Sequence, residues 1–139
     1  MSRYPEVGTS RRLWRLARVS QLLVSRALQT PFRLPPGVSL ARRHAFIREC
    51  CAGLLDCLEL ELRARGAPPP EATLLLVANH VSWLDNWALS AHFPSAFIAK
   101  QEIQGWPIIG WMATRAGTLF INRESRRELL RSTELLRER

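Results

Sequence analysis

From residue 58 onward, short apolar runs alternate with stretches of helical character, and that alternation admits few folds. Leu58, Leu60 and Leu62 alternate with Glu59, Glu61 and Arg63, the pattern of a half-exposed strand. Gly66 and Pro68-Pro69-Pro70 turn the chain, and Thr73-Leu74-Leu75-Leu76-Val77-Ala78 follows as a continuous apolar run of the kind found in strands covered on both faces. Ala96–Ala99 and Thr118–Ile121 read as two further short buried strands. Helices are predicted between them, from about Trp83 to His92 and from Pro107 to near Ala116, where Gly117 is the C-terminal stop. A charged amphipathic helix over Glu124–Arg139 completes the pattern. Strands alternating with helices predict an α/β architecture: a buried, mostly parallel sheet flanked by helices.

The part before residue 58 is different in kind. From Ser10 to Thr30 the period is helical, with Leu13, Leu16, Ala17, Val24, Ala27 and Leu28 on one side. Arg11, Arg12, Arg15, Arg18 and Arg26 fall opposite, and Leu22 is the misfit. Pro31, Pro35, Pro36 and Gly37 break this helix. Ser39 is a candidate N-cap for a second helix reaching about Leu55. The chain therefore divides into a basic amphipathic helical pair, residues 1–57, and an α/β segment, residues 58–139.

Charge follows the same division. Residues 1–49 hold ten arginines against Glu6 and Glu49, which accounts for the whole net charge of +8. Residues 50–139 hold ten basic and ten acidic side chains. Such asymmetry points to an anionic partner for the N-terminal segment, a membrane leaflet or a nucleic acid. No recognised nucleic-acid motif accompanies the arginines. An in-plane membrane helix, apolar face in the bilayer and arginines among headgroups, is one reading of residues 10–30; a helix packed on the domain with a solvated arginine face is the other. The longest charge-free run in that helix, Val19–Ser25, is far short of the roughly 20 residues a spanning helix needs. No signal peptide is evident. Cys50, Cys51 and Cys57 read as reduced, buried thiols in a cytosolic compartment, with no metal-ligand spacing around them.

The residues that can carry chemistry are Asn79-His80-Val81-Ser82-Trp83-Leu84-Asp85, directly after the longest apolar strand. Loops at the carboxyl ends of such strands are where α/β proteins place their sites. His80 and Asp85 would not meet within one regular helix, but they do if His80 lies in the loop and Asp85 in the first helical turn. Asp85 then fixes the imidazole tautomer and leaves the other ring nitrogen to take a proton from a hydroxyl. Spacing alone equally allows a strand-ending histidine beside a helix whose Asp85 faces solvent.

The wider pattern adds to this. Asn79-His80-x-Ser82-x-x-Asp85 resembles the first, HxxxxD, motif of the glycerolipid acyltransferase family, whose members acylate lysophosphatidic acid and related lysolipids. Gly117-Thr118-Leu119-Phe120-Ile121-Asn122-Arg123 resembles the second motif, and Phe97-Ile98-Ala99-Lys100 with Trp106-Pro107-Ile108-Ile109-Gly110-Trp111 matches the segment between them. The resemblance implies His80 as general base, Asp85 as its orienting partner, and Arg123 on the acceptor phosphate. It gives Gly117 a backbone turn or close approach, and Asn79 and Ser82 support of the loop. It implies no metal and no cofactor: an acyl thioester, on acyl carrier protein or coenzyme A, is a co-substrate. The partners implied are a membrane lipid surface, a lysophospholipid acceptor (most simply 1-acyl-sn-glycerol-3-phosphate) and the acyl donor, with no nucleic acid. The location implied is peripheral, at the cytoplasmic face of the cell membrane. Another lyso-lipid, such as lyso-ornithine lipid, is the neighbouring alternative for the acceptor.

The Glu-Gly-Thr-Arg type third motif and the Pro-containing fourth motif are absent from the sequence, so the expectation is the N-terminal part of a longer enzyme. His44 and His92 are expected to be structural, and Lys100 a solvated strand-end lysine. Trp106 and Trp111, flanking a Pro-Ile-Ile-Gly turn, are expected to pack into the interior rather than dip toward lipid.

Overall fold

The computed structural model describes residues 8–66, 76–79, 81–95 and 97–122. Its elements in order are α1 (Thr9–Arg33), α2 (Leu40–Cys57), α3 (Leu84–His92), β1 (Ile98–Lys100), α4 (Gln101–Gln104), α5 (Ile109–Ala116) and β2 (Leu119–Ile121). The class is α/β, a small parallel sheet preceded by a helical pair. Two units divide it, one of Met1–Val24 with Ala45–Pro94, the other of Ser25–His44 with Ser95–Arg139.

In the first unit α1 is turned the opposite way from a soluble amphipathic helix. Leu13, Trp14, Leu16 and Val24 point outward and are exposed. On the arginine side Arg15 and Arg18 are half-buried, whereas Arg11 and Arg12 stay exposed. Leu22, the misfit in the sequence pattern, lies on that side and fills the space beside Gly53 of α2, where an added Cβ would come within 3.1 Å of its methyl carbon. Arg18 folds back over the Trp14 ring, 4.6 Å from its centroid. Arg11 and Arg15, one turn apart, both donate to Oε2 of Glu59, Arg15 at 2.6 Å.

Glu59 also ends α2. Its N–H donates to the Asp56 carbonyl and the Leu60 N–H reaches back to Leu55, the paired bonds of a Schellman motif. The position needs a left-handed backbone, and Glu59 has φ 57. This corrects the predicted strand over residues 58–62. The alternation of Leu and Glu there serves a helix stop, and no described residue pairs with it as a strand. The predicted strand over Thr73–Ala78 lies outside the described residues up to Leu75; Leu76–Ala78 form no strand pairing with described residues. Phe46, Leu54, Leu55 and Cys57 of α2 are buried, as is Ser90 of α3. The Cys51 thiol of α2 hydrogen-bonds Ser90, and burial pushes its pKa up to about 11 against that bond's opposing pull. None of the three cysteines forms a disulfide.

In the second unit α1 runs on to Arg33 through Pro31, where the sequence pattern predicted a break. So close to the helix end the ring forfeits one hydrogen bond, and Leu34 N–H still donates to the Thr30 carbonyl at 2.8 Å. The break falls at Pro35, Pro36 and Gly37, whose φ is 77. Ser39 caps α2 as predicted, its Oγ accepting the Arg42 N–H at 3.4 Å.

β1 and β2 pair in parallel with Ile98 opposite Leu119, Ala99 opposite Phe120 and Lys100 opposite Ile121. Parallel neighbours need a crossover, which here is α4, a turn and α5. The short α4 was not predicted, since four helix-forming residues give no readable period. Helix α5 begins at Ile109, later than Pro107. Its Gly110 is pressed onto the end of α4, where a Cβ would lie 2.3 Å from the Gln104 carbonyl oxygen. Gly117 stops α5 with φ 90, and Thr118 N–H reaches back to the Ala113 carbonyl. Arg43 of α2 fills the side a Cβ would take, its Nη1 2.9 Å from that point. Ile121 is buried, whereas Ile98 and Lys100 of β1 are exposed. The predicted helix over residues 124–139 lies outside the described residues.

Two tests follow from these contacts. Arg15 and Arg11 hold the Glu59 carboxyl below its usual range. A depressed carboxyl contributes stability above its unfolded pKa of about 4.3 and loses it as pH falls through the folded value. Wild type should therefore be more stable than Glu59→Gln near neutral pH in urea titrations, with the gap closing as the pH falls below about 4. Gly110→Ala should cost about 2 kcal/mol or more in the same titration, because the colliding atoms are backbone.

Candidate active site

The loop before α3 is organised by one carboxylate. Asp85 sits in the first turn of α3, and its Oδ2 accepts the backbone N–H groups of Val81 and Ser82, both at 2.8 Å. The Asp85 N–H in turn donates to the Ser82 carbonyl at 3.0 Å, and Ser82 Oγ accepts the Leu84 N–H at 3.3 Å. A Ser followed three residues later by a carboxylate that reaches back is the logic of a capping box. The negative charge also stands at a helix N-terminus, where the macrodipole favours it.

This geometry decides part of what spacing left open. Asp85 is half-buried and bonded into the loop immediately following His80, not displayed on a solvated helix face. His80 itself lies outside the described residues. Asn79, on its other side, is exposed and Ser82 half-buried. Trp83, directly before α3, and Trp87 on it meet edge to face, centroids 4.3 Å apart.

The residues of the second motif are distributed along β2. Gly117 lies before the strand, as the left-handed end of α5, and Asn122 directly after it. Arg123 follows Asn122 in the sequence and lies outside the described residues. Lys100 is, as expected, a solvated lysine at the end of β1; it lies opposite Ile121, so it shares the carboxyl edge of this sheet with Asn122. Among the described residues no cluster of His, Cys, Asp and Glu could hold a metal ion.

The loop that Asp85 organises and the strand after Gly117 carry the two sequence motifs noted above, and comparison with known proteins identifies the family. The acyltransferase family model matches residues 60–139, and the chain belongs to that family. It is 51% identical over 89 residues to a 1-acyl-sn-glycerol-3-phosphate acyltransferase of Neisseria meningitidis serogroup B, covering 63% of this chain and 34% of the relative. It is 43% identical over 93 residues to a lyso-ornithine lipid O-acyltransferase of Pseudomonas aeruginosa, covering 67% of this chain and 36% of that one. A 1-acyl-sn-glycerol-3-phosphate acyltransferase of Chlamydomonas reinhardtii is 39% identical over 72 residues, 51% of this chain and 22% of its own. The chain thus spans about a third of the length of the bacterial relatives. No solved structure matches it significantly.

The capping role of Asp85 is testable without substrate. Asp85→Ala should lower stability by about 1–2 kcal/mol in denaturant titration, the usual worth of a helix N-terminal acceptor. Asp85→Asn, which keeps an acceptor oxygen in place, should retain most of it.

Proposed function

We propose that the protein transfers a fatty acyl group from a thioester to the hydroxyl of a lysophospholipid, with 1-acyl-sn-glycerol-3-phosphate as acceptor. The observation that carries this reading is the Asp85 carboxylate bonded into the loop beside His80, which fixes the loop's shape before substrate arrives. His80 takes the proton of the acceptor hydroxyl, and Asp85 orients the ring and stabilises the imidazolium that results. The hydroxyl oxygen attacks the thioester carbonyl, the carbon–sulfur bond breaks, and the leaving thiolate recovers the proton. No acyl-enzyme is required and no metal or cofactor takes part. The donor is acyl carrier protein or coenzyme A. Arg123 binds the acceptor phosphate, where a guanidinium fork suits phosphate oxygens. Lys100, at the sheet edge it shares with Asn122, adds a second positive charge for the same anion. Gly117 supplies the turn into β2, and Asn79 and Ser82 hold the loop around His80.

We infer that the reaction takes place at a membrane surface, on its cytoplasmic face, with the protein peripheral. Two observations support that placement: the outward apolar face of α1, and a net charge held wholly in residues 1–49. No helix among the described residues is long and apolar enough to cross a membrane. The 43% identity to a lyso-ornithine lipid O-acyltransferase favours a second acceptor, lyso-ornithine lipid, handled by the same base.

Thioester consumption by the full-length protein with each acceptor in turn tests the proposal. His80→Ala should lower turnover by roughly a hundredfold to ten-thousandfold, the range of a lost general base. Full turnover in that variant would remove His80 from the mechanism. Arg123→Ala should raise KM for a phosphate-bearing acceptor more than it lowers kcat. Turnover with lyso-ornithine lipid alone would transfer the assignment to the second acceptor.

A further inference from the structure

The turn between α4 and α5 is held in an unfavourable shape. Ile108 has φ 65 and ψ −64, and the Ile109 N–H donates across it to the Pro107 carbonyl at 2.7 Å. This is the rare, strained form of the γ-turn, and a β-branched residue is especially disfavoured at positive φ. Glycine adopts such a conformation without strain, yet the sequence has isoleucine.

The side chain is not kept for interior packing. Ile108 is 43% exposed, beside Trp106 at 54%, Ile109 at 41% and Trp111 at 39%. That overturns the expectation that both tryptophans pack inside. Nor is the turn loosely held. Trp106 N–H donates to the Ile103 carbonyl, while Gly110 and Met112 N–H donate to the carbonyls of Trp106 and Ile108. With Gly110 pressed onto the end of α4, these bonds fix a frame that displays four large apolar side chains outward.

The chemistry of what they meet is constrained by charge. From Ile103 to Thr114 the sequence has no charged residue, in a chain that is 23% charged. Protein partners are met through a polar rim, and nucleic acids through cations. An uncharged aliphatic turn bracketed by indoles matches the bilayer interface, where rings sit at headgroup level and aliphatic groups enter the acyl region. The same unit also carries the outward Leu28 and Phe32 of α1.

We propose that the Trp106–Trp111 turn is a membrane-inserting contact in its own right, taking the interfacial zone of a lipid bilayer, in addition to the outward face of α1. The proposal rests on the membrane-surface reading above, and its test separates the two. Flotation of the full-length protein with phosphatidylcholine vesicles, which carry no net charge, isolates the apolar term. Trp106→Ala and Ile108→Gly should each lower partitioning about tenfold, as expected for one large apolar group no longer buried. Ile108→Gly relieves the backbone, so it should melt no lower than wild type; lost binding with retained stability excludes simple misfolding. Leu13→Ser with Leu16→Ser tests the α1 face in parallel. Wild-type partitioning in both turn variants, with loss only in the α1 variant, would overturn the turn contact and leave the α1 reading standing. No vesicle binding by wild type would overturn both. Concentration-dependent self-association that Trp106→Ala abolishes, without vesicle loss, would make a second copy the occupant and overturn the proposal.

Discussion

Two parallel strands cannot be joined by a tight turn, and the second unit is shaped by that requirement. β1 and β2 lie side by side in register, so residues 101–118 must carry the chain from one end of the sheet back to the other. The crossover is made of a one-turn helix, a reversal and a two-turn helix, and each joint has a residue suited to it. Gly110 lets α5 start against the carbonyls ending α4, and Gly117 takes the left-handed angle that ends α5. The result is a sheet edge where Lys100 and Asn122 stand together, one residue before Arg123 in the sequence. The placement of Lys100 beside Asn122 therefore follows from strand pairing, with glycines supplying the close approaches in the crossover.

The helical pair depends on a different interaction. In water an amphipathic helix buries its apolar stripe and solvates its charges. α1 leaves much of its apolar stripe exposed, and several of its arginines have partners within the unit. Arg11 and Arg15 share one carboxylate oxygen, and Arg18 lies on an indole face. The single acidic residue involved, Glu59, is also the left-handed stop of α2. Helix termination and charge compensation thus fall on one residue. An exposed salt bridge contributes little to stability on its own; here it joins the start of α1 to the end of α2.

Much of this was legible in the sequence, and the misses have identifiable causes. The helical pair, the cap at Ser39, the helix after Trp83, the stop at Gly117 and the last strand were all readable from local rules. What local rules could not supply was which face of α1 turns inward, because periodicity defines two faces without saying which is buried. Leu22 was the clue: a leucine among arginines is unexplained on a solvated face and necessary on one that packs against Gly53. The strand predicted over residues 58–62 failed because period-2 alternation over five residues also arises in a helix-ending motif. At the candidate site, the importance of Asp85 was visible and its bonding was not. Spacing placed it in reach of the loop, but only coordinates show its carboxylate taking the Val81 and Ser82 N–H groups. Lys100 is the solvated strand end that its surroundings indicate, and only the register shows which strand lies beside it.

The same logic bears on why strain persists at Ile108 and a left-handed glutamate at Glu59. Each departs from the residue that local backbone preference would choose, which is glycine in both cases. At Glu59 the departure is explained within the chain, because glycine would leave Arg11 and Arg15 without their carboxylate. At Ile108 the side chain is substantially exposed among other exposed apolar groups, with no comparable ion pair among the described residues. A local rule broken with an internal compensation is architecture; a local rule broken toward the outside is where a partner supplies the compensation. By that criterion the two non-glycine positions with positive φ among the described residues have different meanings. One compensates the arginines at the start of α1, and the other holds an apolar surface outward.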